Sequence, residues 1–484
     1  MNYAVWADVF NTHTMPPFSR VVRGVGMSRM SSVTEESAAA MEPNTPQPPW
    51  PNAGYAWYVM VVLIIAYTFA IVDRSIISLL VQPIKADLGV TDAQIGLLQG
   101  LAFAICYTTF GLALGFVTDR TNRALLLALS IFVWSAATIA CGFAKDFQWL
   151  FISRIFVGLG EAGVLPVAGS LIADYLPPAR RAKAYGVFLL GGTGGTMFGS
   201  LIGGHAVALS DIVRSFSPAF VDTLHDWQIV FLIVGVPGLA VSALFALSVR
   251  EPERREKTQA GGMTLAPLIA HLRINWVAYT TLLASCSLNV LCIYAQITWA
   301  ATFILRVYKW TPEEVGNFLV LPSIVGATSA FTVGWMMARW IAKGRQDAPM
   351  IAALVHGFVS MIIGPLVYSA PSSNLMIPAY LLMATTSNWS TSAALMGVSH
   401  ITPNQLRGQL TAFYTLLSGL ISLSAGTYAV GVLSDNVYTG PTGLRWSLVT
   451  VYILAGGLSV LLVTLGRPAY RAAAQRALAW SESR

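Results

Sequence analysis

The sequence predicts an all-α polytopic membrane protein, twelve transmembrane helices arranged as two six-helix bundles, and three observations carry that prediction. Of the 484 residues, 55% are hydrophobic and only 11% charged, where a soluble domain has about 25% charged; mean hydropathy is +0.63. Apolar runs recur along the chain, each long enough to cross a bilayer, for which about 20 residues rising ~1.5 Å each suffice. The basic residues fall on alternate connections, as they do when one orientation places them on the cytoplasmic side.

Residues 1–50 differ from the rest. They hold Arg20, Arg23 and Arg29, the acidic pair Glu35 and Glu36, and the Pro-rich run NTPQPPWP. No continuous apolar region follows a basic start, so no cleaved signal is expected; the segment reads as a disordered cytoplasmic tail, with Met1, Met27, Met30 or Met41 as possible starts. Six apolar cores follow at 56–82, 94–117, 124–143, 151–175, 184–209 and 228–249, giving a first bundle over 51–249. The polar stretch REPERREKTQAGGM opens a cytoplasmic linker, 250–273. A second bundle, 274–467, holds cores at 276–307, 314–338, 350–368, 375–400, 410–433 and 448–466, and 468–484 is a cytoplasmic tail.

With both termini cytoplasmic, inner loops and tails carry 21 of the 29 Lys and Arg, outer loops carry 6, and Arg74 and Arg154 remain within spans. Shifting the topology by one helix inverts that ratio. The net charge of +7 therefore reports orientation and not nucleic-acid binding. The four cysteines (Cys106, Cys141, Cys286, Cys292) all fall in apolar spans without metal-ligand spacing and read as small apolar filler. His205, His356 and His400 are isolated, so no metal is expected.

The stretch 151–183, FISRIFVGLGEAGVLPVAGSLIADYLPPARRAK, is the most informative. It carries Arg154 and Glu161 inside a span, seven residues or two helical turns apart on one face, with Gly158, Gly160, Ala162 and Gly163 between and beside them. A charge at the centre of a span costs about 2.5–3.5 kcal/mol on insertion scales, so neither is expected to face lipid. The helix ends at Asp174 and a Pro177–Pro178 turn, followed by Arg180, Arg181 and Lys183. The run from Gly158 to Gly163 formally matches a dinucleotide fingerprint, but it follows no strand and opens no βαβ unit. Gly191, Gly195, Gly199 and Gly203, four residues apart, read as a close-packing stripe.

The halves share signals. GFVTDRTNR (115–123) follows the second span and GWMMARWIAKGR (334–345) the eighth; Pro177 precedes Arg181 by four residues, as Pro403 precedes Arg407. The first loop, with Gly115, Asp119, Arg120 and Arg123, resembles the signature loop of the major facilitator superfamily. That resemblance implies a loop that helps gate the cytoplasmic side. The second copy has Ala338 in place of the Asp, which weakens any symmetric gate. Within the superfamily the chain resembles the Spinster-like branch, on Val72-Asp73-Arg74-Ser75, on Arg154 to Gly163 and on Ala173-Asp174-Tyr175. The likeness runs from about residue 58 to 466 and is strongest in the first half. It implies a proton-coupled carrier of lysophospholipids, sphingoid phosphates or related amphiphiles, while related branches carry small organic and sugar acids.

Asp73 and Arg74 sit deep in the first span, at a level that roughly coincides with Arg154 on the antiparallel fourth, so an Asp73–Arg154 pair is expected. Glu161 is then nearer the midplane, where transporter sites collect. These four are the expected proton-coupling and substrate residues, against the alternative of a static salt-bridge cluster. In the second half Asn289 and Gln296 share a face of the seventh span, and Thr385, Asn388, Trp389 and Ser392 form a stripe on the tenth. The resemblance makes them cavity-lining candidates; hydrogen bonding between helices explains them almost as well. The chain shows no GxxxxGK[ST], GxSxG or HExxH, which argues against a primary pump or an embedded enzyme. The expected partners are a small-molecule or lipid-like solute, protons and the bilayer, with no cofactor and no nucleic acid. The protein is expected to act as a monomer in the cell membrane, the inner membrane if bacterial.

Overall fold

The computed structural model describes residues 49–118, 120–216, 221–255 and 265–482. The expected tail over 1–48, residues 256–264 of the linker and Asp119 lie outside the described residues. Among those described there are sixteen helices and no strand. The first half holds α1 (Ala53–Leu88), α2 (Asp92–Gln99), α3 (Leu101–Thr118), α4 (Arg123–Gly142), α5 (Phe147–Glu161), α6 (Val164–Tyr175), α7 (Pro178–Gly204), α8 (Ala206–Phe216) and α9 (Asp226–Ser248). The second holds α10 (Leu265–Tyr308), α11 (Pro312–Ala342), α12 (Ala348–Ser369), α13 (Ser373–Ala384), α14 (Trp389–Ile401), α15 (Asn404–Asn436) and α16 (Gly443–Glu482).

Helix boundaries follow local chemistry. Thr91 caps α2 with a reciprocal capping box to Gln94, and Thr311 caps α11 the same way with Glu314. Asn122 and Asp146 accept from the first turns of α4 and α5. The left-handed Gly89, at φ 64°, ends α1. Leu265 starts α10 inside the expected linker, and Asn275, at φ −115° and ψ 17°, kinks that helix just before the expected apolar core at 276.

Among the described residues eleven stretches are long and apolar enough to cross a membrane. The twelfth expected crossing, 375–400, is divided: α13 has 12 residues and α14 has 13, and the turn at Thr385–Asn388 separates them, so neither alone suffices. The fourth crossing is likewise made of two helices, α5 and α6, which meet immediately after Glu161. Interruptions at matching places in the two halves are the pattern that surrounds midplane sites in transporters built from repeats.

Tyr55, Tyr175, Arg123 and Arg250 gather at one end of the first half, called here the near end; the α1–α2 turn marks the far end. The hydrogen bonds and ion pairs that cross between halves cluster at the far end. There α7 and α11 touch so closely that a Cβ on Gly204 would stand 2.9 Å from the Gly316 Cα, leaving room for glycine only. The apolar core divides accordingly. One cluster runs from the first half into the far-end layers of the second, through Trp299, Phe303, Tyr368 and Tyr452. A separate one, with Tyr279, Val333, Trp389 and Tyr470, fills the near end of the second half alone. The halves are thus sealed together at the far end and carry separate cores at the near end. The glycine stripe of α7 packs on α1, where a Cβ on Gly195 or Gly199 would lie 2.6 Å from Ile71 or Ser75.

Candidate functional site

Asp73 and Arg74 are neighbours on α1, so their side chains leave the helix about 100° apart. Asp73 turns inward. Its Oδ1 accepts from Arg154 Nη1 at 2.7 Å, and the Thr138 hydroxyl of α4 bonds its other oxygen. Both carboxylate and guanidinium are shut off, with side chains 1% and 2% exposed. Arg74 turns the other way and donates Nε–H to Glu161 Oε2 at 2.5 Å. Its guanidinium carbon lies 4.2 Å from the Phe103 ring centre and 4.4 Å from that of Tyr107, in cation–π contact with both. Across the interface, Tyr294 of α10 is close enough to feel the same charge.

The two pairs differ in access. Glu161 is fully enclosed while Arg74 is 27% exposed, so the bond between them joins a hidden carboxylate to a reachable cation. Among the described residues Glu161 Oε1 and Arg154 Nε have no hydrogen-bond partner. Close helix contact builds the enclosure: a Cβ on Gly158 would meet the Phe103 carbonyl at 2.5 Å, and one on Gly160 the Trp134 amide at 2.6 Å. The expected Asp73–Arg154 pair is present and enclosed, while Arg74, the more exposed guanidinium, takes Glu161 as its partner. Helical register decides it, because the two positions at 73 and 74 point at different neighbours.

Below this cluster, at the near end, Arg123 is 1% exposed. Its guanidinium pairs with Asp174, donates Nε–H to Glu251 Oε1 at 2.7 Å, and reaches the Ser170 hydroxyl at 2.9 Å and the Pro252 carbonyl at 3.1 Å. Glu251 Oε2 also accepts the Arg123 backbone N–H at 2.7 Å. Arg254 closes the loop above by donating to the carbonyls of Thr118 and Thr121, each at 2.7 Å. Of the other expected loop residues, Arg120 is exposed, Gly115 has open space beside it, and Asp119 lies outside the described residues. Glu251 and Asp174 were not among the expected loop partners; an acid directly after the sixth span was the available signal.

The far end holds a second group that sequence reasoning missed. Asp92, on the first turn of α2, receives Lys85 and both Nη atoms of Arg306, at 2.6 and 2.7 Å, together with the Ser434 hydroxyl at 2.9 Å. Asp435 of the second half accepts from the backbone N–H groups of Asp92 and Ala93, at 3.2 and 2.6 Å, and so caps a helix of the first half. Lys85 and Arg306 are two of the six basic residues expected in outer loops, and nothing in the sequence signals that they share a partner.

The second-half candidates are uncharged, and the structure divides them. Asn289 is wholly buried and donates to the Ala353 carbonyl at 3.1 Å and the Ser390 hydroxyl at 2.8 Å, so it ties helices within its own bundle and does not line a cavity. Gln296 is half-buried beside the Tyr380 hydroxyl. Thr385 is exposed at the interruption between α13 and α14. Asn388 fixes that interruption by donating to the Gly326 carbonyl at 2.7 Å, and Trp389 is mostly buried, its indole N–H without a partner among the described residues.

A family model described as "Major Facilitator Superfamily" matches residues 63–427. The chain is 25% identical over 393 residues to an MFS-type efflux pump of Mycolicibacterium smegmatis, covering 79% of this chain and 85% of that one. It is 22% identical over 400 residues to protein spinster of Drosophila melanogaster, covering 79% and 62%. A crystal structure of a bacterial homologue of the human lysosomal transporter Spinster, inward-facing and unoccupied, superposes with a TM-score of 0.73 at 23% identity, over 88% of this chain and 98% of that one.

Proposed function

We propose that this chain, which belongs to the Major Facilitator Superfamily in its Spinster-like branch, is a proton-coupled secondary transporter of an amphiphilic or anionic organic solute. Membership makes it a multi-pass membrane transporter and not an enzyme. The coupling and the solute are our reading. The observation that carries it is the single bond between Arg74 and Glu161. A carboxylate or phosphate entering from the open side meets Arg74, the accessible member. As it takes over that guanidinium, Glu161 loses its counter-charge in an enclosed, apolar setting, where the ionised form is disfavoured. Glu161 then takes up a proton from water that reaches the opened site, and Oε1, partnerless among the described residues, is available to receive it. When the solute leaves, Arg74 returns and the proton is released. Substrate and proton thus exchange for one another on one cation, and rocking of the halves decides which side each meets.

The wall of the site supports an amphiphile. Phe103, Tyr107 and Tyr67 supply aromatic surface beside the charge, so a lysophospholipid-like or sphingoid-like anion is favoured over a neutral sugar. A small organic or sugar acid is the second reading, since Arg74 alone would serve a short carboxylate. A melting-temperature screen separates them: if only short hydrophilic acids stabilise the protein, the amphiphile reading fails. Orientation is proposed as both termini cytoplasmic, in the inner membrane of a bacterium, the solute being bound by one protomer acting alone. A cysteine at Lys145 should label from outside and one at Arg255 should not; the reverse pattern refutes it.

The decisive experiment is Glu161→Gln, which mimics the protonated form. In proteoliposomes it should keep solute binding and some exchange but lose flux driven by a pH gradient. An unchanged pH response would remove the proton-carrier role, and lost expression would favour a purely structural pair.

A further inference from the structure

One groove in the second half lies away from the charged cluster. It has a volume of about 570 Å³ and is walled by α10, α15 and α16, with Trp276, Thr280, Ala284, Phe413, Leu417 and Leu458 among its lining. It lies on the periphery of the bundle: its third wall, α16, packs on α10, α12, α14 and α15, all of the second half. Trp276 is 62% exposed, Phe413 53% and Leu458 46%, inside stretches apolar enough to cross a membrane. Apolar surface of that kind at this depth faces hydrocarbon, and an acyl chain can occupy it without being dehydrated.

Two stripes line the groove lengthwise. On α15 they are Leu410, Phe413, Leu417 and Ile421, and on α10 Trp276, Thr280, Ser287 and Leu291. The α15 stripe alone, from Leu410 to Ile421, rises eleven steps, about 16 Å at 1.5 Å per residue. One turn before Leu410 on α15 stands Arg407, and on α10, beyond the Asn275 kink, Arg273 stands beside the lining residue Leu272. Both arginines are exposed. Arg407 donates Nε–H to the Thr402 carbonyl at 3.0 Å, and among the described residues no acidic side chain pairs with either arginine. An apolar slot with two exposed arginines next to its near-end lining residues, and Trp276 among that lining, matches an amphiphile whose head is anionic.

We propose that this groove is a binding site for an anionic phospholipid of the leaflet at the near end, one acyl chain lying in the slot and the headgroup held by Arg273 and Arg407. The site is separate from the Arg74–Glu161 pair and does not depend on the transport reading. The lipid enters sideways from the bilayer and wedges between α15 and α16.

The test is native mass spectrometry of the detergent-purified full chain offered equal phosphatidylglycerol and phosphatidylcholine, with size-exclusion profile and melting temperature as folding controls. The wild-type protein should retain phosphatidylglycerol preferentially. Each arginine near an anionic membrane surface contributes roughly 5-fold, so the Arg273→Gln/Arg407→Gln double variant should lose most of that preference while still binding a lipid. Ala284→Trp, at an exposed position inside the groove, should lose both lipids without loss of folding. Excess inorganic phosphate should leave the adduct in place. Equal retention of the two lipids by the wild-type protein, full phosphatidylglycerol binding in Ala284→Trp, or displacement by phosphate alone would each overturn the proposal.

Discussion

The two halves repeat one architecture with opposite chemistry. In the first, the interrupted crossing places Glu161 at its break and draws four charges, Asp73, Arg74, Arg154 and Glu161, into two ion pairs. In the second, the matching interruption at Thr385–Asn388 is held by an amide and hydroxyls, Asn388, Ser329 and Ser387, with no charge. The near ends contrast differently. The first half has a buried cation, Arg123, gripped by Asp174 and Glu251 from neighbouring segments. The second has a buried anion at the start of its third helix, Asp347, gripped by Arg467 and Arg471 from the last. The clamp is conserved in place and reversed in sign. The lesson is that the repeat specifies where a polar tie is needed, while the sequence of each half chooses what it is made of. At the interruptions themselves, ion pairs are thereby confined to the first half.

If that division holds, ion-pair removal in the first half should cost most. Asp73→Asn leaves Arg154 buried and uncompensated, a loss of about 3–5 kcal/mol for a buried pair. A sharp fall in melting temperature is expected, with partial recovery in the Asp73→Asn/Arg154→Gln double variant. Equal stability of the single variant would mean that the pair is hydrated and not enclosed.

The far-end tie is next. Asp92→Asn removes the shared acceptor of Lys85 and Arg306 and should shift the population toward a far-open form more than it lowers stability. Spin labels across the far end should show a longer distance component in the variant. An unaltered distance distribution would make Asp92 a local cap only.

The reversed clamp should respond to pH. Burial pushes the Asp347 carboxyl up, but hydrogen bonds and charge from Arg467 and Arg471 outweigh it and hold the group below the ordinary carboxylate range. Its folded pKa is depressed, so its stabilisation is complete above the unfolded value of about 3.9 and is lost as pH falls through the folded one. Arg471 is 54% exposed, which cuts the expected cost of Asp347→Asn to about 1–2 kcal/mol at neutral pH. The difference from wild type should vanish when melting is followed well below pH 4.

The smallest effect is expected at the neutral break. Asn388→Ala removes a hydrogen bond worth about 1 kcal/mol and should lower solute affinity little. A large loss of transport would show that the second half carries more of the site than its chemistry suggests.

Much of this was legible beforehand. Composition and apolar period are properties of individual spans, so the helical class, the crossings and the deep level of Asp73 and Arg154 could be read directly. The Asp73–Arg154 pair followed from those levels; the Arg74–Glu161 pair did not. Asp73 and Arg74 differ by one step of helical rotation, and only the packed position of α4, with Thr138, and of Phe103 and Tyr107 shows which way each turns. Asn289 failed as a cavity residue for the same reason: its face is fixed by Ala353 and Ser390 on other helices. The far-end tie was missed because Asp92, Arg306 and Asp435 are more than a hundred residues apart and become one group only when the halves meet.

That tie also fixes a tempo. An alternating carrier is only as fast as its less frequented state, and at 25 °C each 1.4 kcal/mol by which the far side prefers to stay shut makes its opening ten times rarer. Asp92 holds two cations at once and Asp435 caps the helix on which Asp92 stands, so the bonds must be surrendered together. Lys85 and Asp92 stay in the first half and can remain paired after separation, which returns part of the energy at once. Arg306 and Asp435 leave with the second half and are rehydrated instead. The seal therefore behaves as a detent with a softened release, and the balance between those two fates governs turnover at saturating solute.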